Sequence, residues 1–158
     1  MRLRSAIFLL ISHGLVGVLG FAVGIYALPL LIAPAAPTSA EVQARAERAR
    51  HTAQFRRDLK GSDALHWGEG RVTVGPDAVS LLGEIAPGPD YKLYLSPRFV
   101  ETEDEVMAIK AQMLRVGDVK TFRNFIVPLP SGTDVEKYDT VLVWCETFSQ
   151  FITAAKYR

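Results

Sequence analysis

No charged residue occurs between Arg4 and Glu41, a run of 36 positions, and this gap constrains the chain more than any other feature. Ser5 to Ile32 is almost wholly apolar. Its 28 residues would reach roughly 42 Å as a helix, against a hydrocarbon core of about 30 Å. The stretch can cross a bilayer with tilt, or with a bend near Pro29. A cleaved signal peptide has an apolar region of only about 7–15 residues, so an uncleaved signal-anchor is expected. The alternative is cleavage after Ala33, Ala35 or Ala36, which would release a soluble secreted protein. Arg2 and Arg4 precede the span, and the next basic residue after it is Arg45. The positive-inside rule then keeps residues 1–4 cytoplasmic, makes 5–32 a single transmembrane anchor and exports the rest. In a diderm bacterium the exported part faces the periplasm.

Gly14, Gly17, Gly20 and Gly24 recur on one helix face, and Gly20-x-x-x-Gly24 fits close helix–helix approach. Self-association through Gly20 and Gly24 is therefore one expectation. The other is that glycine is simply common in membrane helices. His13 is a polar group inside the span, near its cytoplasmic third.

Residues 33–60 read as a proline-containing hinge followed by a connector helix, capped by Ser39, over 41–60. This helix carries six basic and three acidic residues and stops before Gly61. It would serve as a spacer or lie on anionic headgroups.

From Gly61 to Arg158 the texture changes. Ten basic and fourteen acidic residues are mixed among short runs of branched and aromatic residues, punctuated by Gly, Pro and Asp. Strands are expected at 71–74, 79–82, 91–95, 119–127, 140–145 and 148–157. Thr140–Cys145 is apolar on both faces and therefore central. Val106, Met107, Ile109, Met113 and Leu114 give one helical insertion at 103–114. The fold class is mainly β: a small antiparallel sandwich or barrel with one short helix, behind a transmembrane helix and a connector helix. The whole chain has net charge +1 with both signs interspersed, so no nucleic-acid footprint is expected.

No metal-ligand spacing, phosphate loop or nucleophile–base pair stands out, and a stand-alone enzyme is not expected. The acidic cluster Glu101, Glu103, Asp104 and Glu105 reads as a solvated helix start. Cys145 is the one cysteine. Alternation puts Val141, Val143 and Cys145 on one face of their strand, with Leu142 and Trp144 on the other. A lone cysteine is commonly a small core hydrophobe. A reactive one needs exposure and a lowered pKa. Both readings stay open.

Tyr138-Asp-Thr-Val-Leu-Val-Trp-Cys-Glu-Thr-Phe148, followed by Phe151, resembles the terminal signature of the DM13 domain. That domain is a proposed electron-transfer unit often found beside DOMON and cytochrome-type modules. Gly88-Pro-Asp-Tyr-Lys-Leu-Tyr-Leu95, Gly68-x-Gly70 with Val72, and Gly117-Asp-Val-Lys120 resemble further elements of it. After Lys120 the family shows Gly-x-Gln-x-Tyr, where this sequence has Thr121-Phe-Arg-Asn-Phe125. The resemblance makes 61–158 a DM13-like β domain of a membrane-anchored bacterial form. It implies a redox role for Cys145, either as a thiol or as ligand to a group such as haem. His66, Met107 and Met113 are the candidates for a second ligand, and the cofactor itself stays unknown. An envelope redox partner is implied. The competing function is a non-catalytic envelope binding or scaffolding domain with Cys145 as core packing.

Overall fold

The computed structural model describes residues 3–158. Met1 and Arg2, half of the expected basic terminus, lie outside the described residues. Helix α1 (Leu3–Ile32) is long and apolar enough to cross a membrane, with a mean hydropathy of 2.4 in its most apolar window. Nearly all its side chains are exposed, but Pro29, close to the body, is buried. Gly20 and Gly24 face open space. His13 turns its Nδ1 back to the Leu9 carbonyl, 2.8 Å away, so its polarity is met within the helix.

The connector helix is much shorter than 41–60. Helix α2 runs from Ser39 to Ala46, and its cap is Thr38 rather than Ser39. Thr38 Oγ1 accepts the Glu41 N–H at 3.2 Å, and the Glu41 carboxylate accepts the Thr38 N–H at 2.7 Å. This reciprocal pair is a capping box. Beyond it, strand β1 (His51–Phe55) replaces the expected helix. It pairs antiparallel with β2 (Gly68–Val74), with His51 opposite Val74 and Phe55 opposite Gly70. Burying Phe55 and satisfying the edge of β2 outweighs the helix propensity of an Ala/Arg-rich segment.

The hinge is fastened to the body. Asn124, in the left-handed region at φ 52°, donates from Nδ2 to the Pro37 carbonyl at 3.0 Å. Its Oδ1 accepts the Gly83 N–H at 3.1 Å. Val42 of α2 is buried, and Arg45 reaches Asp77 at 2.7 Å.

The body is a sandwich of two antiparallel four-stranded sheets. The first has the order β1-β2-β3-β6, with β3 at Ala78–Ile85 and β6 at Arg123–Pro128. The second has the order β5-β4-β7-β8: β5 is Leu114–Val119, β4 Tyr91–Ser96, β7 Thr140–Cys145 and β8 Gln150–Lys156. The expected 119–127 strand is thus broken: Val119 ends β5 in the second sheet, Arg123 opens β6 in the first, and the chain crosses between the sheets over 120–122. The helical insertion ends early: α3 is Glu103–Ile109, then one 3₁₀ turn leads to β5.

Val72, Val79, Leu81, Leu93, Val141 and Val143 fill the space between the sheets, together with Phe55. The outer face of the second sheet carries Tyr94, Leu142, Trp144 and Phe151, and Val106 and Ile109 of α3 cover it. All six residues of β7 are buried, as expected of a strand with a sheet neighbour on each side and a layer on each face.

Candidate functional site

Cys145 closes β7, and the pleat sends its side chain inward beside Val143. Tyr91, the first residue of β4, is its direct cross-strand partner. Two loops meet above this pair. One is Pro87–Asp90, entering β4. The other is the turn 146–149 between β7 and β8, where Ser149 adopts φ 49°. They are stapled by Asp90. Its carbonyl accepts the Glu146 N–H at 3.0 Å, and its carboxylate accepts the Thr147 hydroxyl at 3.1 Å. Lys92 bridges Asp90 at 2.6 Å and Asp118 at 3.0 Å. Hydrogen bonding to Lys92 holds both carboxyls below the usual range. Gly88 lies flat on the Tyr91 ring. A Cβ there would stand 2.3 Å from the Tyr91 hydroxyl, so only glycine permits this approach.

A third loop brings His66. Asp63 accepts the N–H groups of Leu65 and His66 at 2.7 and 2.8 Å, and its other oxygen sits 2.9 Å from His66 Nδ1. The carboxylate orients the ring and favours a proton on Nδ1.

These loops and the last third of α1 enclose a cavity of about 430 Å³. Cys145, Tyr91, His66, Phe148 and Gln150 line it from the body, and Tyr26 lines it from the helix. Cys145 and His66, 79 positions apart, are therefore brought to one site. Cys145 is only 2% exposed. Burial pushes its thiol up, against the opposing pull of the Phe148 and Asp90 backbone N–H groups. It is a neutral thiol at pH 7, not a thiolate nucleophile. Burial, then the neighbouring Cys145, pushes the Tyr91 phenol up as well.

The acidic neighbour of the thiol is Asp90 rather than Glu146. The Glu146 side chain lies on the other side of the sheet, 2.6 Å from Lys110 Nζ and hydrogen-bonded by Tyr94. Lys110 stands 5.1 Å from the centroid of Trp144. Met107 is exposed on α3, and Met113 packs into the outer cluster. The second sheet separates both methionines from Cys145, so neither can share a ligand with it. Of the three candidates for a second ligand, only His66 shares a cavity with Cys145.

Sequence reasoning missed Tyr91, Gly88 and Tyr26. The Gly-Pro-Asp-Tyr run marked a turn, and the register that sets Tyr91 against Cys145 is what gives it meaning.

The fold and site define a two-sheet antiparallel sandwich whose lone thiol lines a cavity beneath a long apolar helix. A family model described as Electron transfer DM13 matches residues 55–157. The chain belongs to the DM13 family, and that membership implies a role in electron transfer. The match begins at Phe55, the core residue of β1. No curated protein and no solved structure matches the chain.

Proposed function

We propose that the chain is a single-pass, N-terminus-inside accessory electron-transfer module of the bacterial envelope. Its body stands at the outer face of the cytoplasmic membrane, and its redox chemistry centres on Cys145. The supports are the family match, the charge asymmetry around α1 and the length of that helix. One observation carries the role of Cys145: it lines a cavity with His66 and Tyr91 instead of being wholly enclosed by packing. Burial keeps the thiol from protein disulfides, so its electron would leave to a one-electron acceptor, either a small oxidant in the cavity or an oxidised redox group beyond the cavity wall. When that acceptor takes one electron the thiol also loses its proton, and the His66 ring lines the same cavity.

A second reading has its own support. The 2% exposure of Cys145 and its place in the inter-sheet core suit a scaffolding domain with a packing cysteine. Protein-film voltammetry of the full chain in a lipid film separates the two. A proton-coupled wave in wild type, absent in Cys145→Ala with unchanged far-UV circular dichroism, is the expected result. A silent wild type, or a wave that survives the substitution, leaves the scaffold reading standing.

A further inference from the structure

With α1 as the anchor proposed above, the cavity beside Cys145 takes a set height on the membrane. A bilayer core of about 30 Å takes up about 20 helical residues; because the body lies against α1 from Ala22 to Pro29, the core is left to the residues from about Ser5 and its outer boundary falls near Gly24 rather than at Ile32. Ala22, Ile25 and Tyr26, the helix wall of the cavity, therefore stand at the interface. Tyrosine is enriched at that level. The body has four large apolar side chains that stay exposed, and two of them, Leu65 and Phe148, line this same cavity. Its mouth is thus greasy and faces lipid.

The lining chemistry is specific. No Lys, Arg, Asp or Glu contributes to it. A phosphate headgroup, which needs a cation, has nothing to pair with. Several neutral polar groups do converge: the Tyr26 and Tyr91 hydroxyls, the His66 ring, the Gln150 amide and the Cys145 thiol. Tyr91 is 3% exposed as a residue, and its hydroxyl, which makes no hydrogen bond to a described protein group, opens on the cavity, where water can pair it. An acyl chain filling the cavity would displace that water and leave the hydroxyl unpaired, which costs stability. A neutral ring bearing carbonyl acceptors would pair it.

We infer that this cavity binds the head of an isoprenoid quinone that enters from the bilayer, its ring carbonyls taking hydrogen bonds from Tyr91 and Tyr26 and its tail leaving past Ala22. The inference rests on the electron-transfer reading above, and gives that role a ligand class. The cavity, at about 430 Å³, is within the usual size range for small-molecule sites, roughly 300–1,000 Å³.

The test uses the full chain in phosphatidylcholine nanodiscs, titrated with decylubiquinone, with quenching of Trp67, the neighbour of His66, as readout. Saturable quenching is expected. Ala22→Phe with Ile25→Phe fills the cavity from the helix side and weakens binding at least about tenfold. Val23→Phe, on an exposed position that does not line the cavity, leaves it unchanged. Tyr91→Phe, which removes only the hydroxyl, weakens it several-fold. Equal quenching in the filled variant overturns the inference. So does equal competition by n-decane, which would make the site an acyl-chain groove. Binding is measured without electron transfer. A silent voltammogram with intact, Tyr91-dependent binding refutes only the redox role of Cys145, and a Cys145-dependent wave without binding refutes only the quinone site.

Discussion

Phe55→Ala is the sharpest test of where the domain begins. Phe55 is completely buried, at the end of a strand that lies in a segment with the composition of a helix. Truncating a buried phenylalanine costs about 3–5 kcal/mol, transfer and cavity terms together. A small domain is stable by only about 5–15 kcal/mol. At roughly 4–8 °C per kcal/mol for a domain of this size, the melting temperature should fall by about 12 °C or more. The assay is thermal denaturation of the full chain in detergent, followed by circular dichroism in the β-sheet region. Gln54→Ala, the exposed neighbour on the same strand, is the control and should stay within about 0.5 kcal/mol of wild type. A loss below about 1 kcal/mol in Phe55→Ala would refute the placement of β1 in the core.

Further outcomes follow from the site. Cys145 and Tyr91 are raised in the folded protein, while their unfolded counterparts ionise near about 8.5 and 10, so stability is complete below pH ~8.5 and is lost as pH rises. Denaturant midpoints measured across pH should show that decline, and Cys145→Ala should delay its onset to the tyrosine range. Lys92→Met should cost about 1 kcal/mol at neutral pH, a figure held down by solvent screening of the partly exposed carboxylates. Because Asp90 and Asp118 are lowered, the wild type should lose that contribution as pH falls below about 4, and urea titrations of wild type and variant should converge there. Gly88→Ala drives a methyl into the Tyr91 ring and should cost about 1–3 kcal/mol by chemical denaturation. It should also change the rate at which methyl methanethiosulfonate labels Cys145.

The strands that sequence showed well are those whose pattern is set by their own burial. Residues 140–145, apolar on both faces, form the interior strand β7, and the alternation there sorted Val143 and Cys145 from Leu142 and Trp144 correctly. β1 was hidden because its reason for being a strand is its partner, Val72 to Val74, while the Ala/Arg-rich residues around it read as helix. β5 was hidden for a related cause. It is an edge strand with exposed Arg115 and Asp118, and its first residue, Leu114, fell into register with the preceding helix. Cys145 was visible as the residue to argue over, and its surroundings were not. The cavity is built from α1, the loop at 63–66, the loop at 87–90 and the turn at 146–149, and no periodicity links segments so far apart.

The Asn124 clip on Pro37 changes how an anchored body can work. A free proline-containing tether would let the domain sweep above the surface and sample partners at many heights. Here the tether is bonded to the sheet one residue before Thr38 caps α2. Only Ala33 to Ala36 separate the end of α1 from that bond. In the anchored arrangement proposed above, the body would be held like a short-stemmed lamp over one patch of lipid. Its encounters would then be set by lateral diffusion in the membrane plane, and whatever exchanges electrons with it would have to come within reach of that patch.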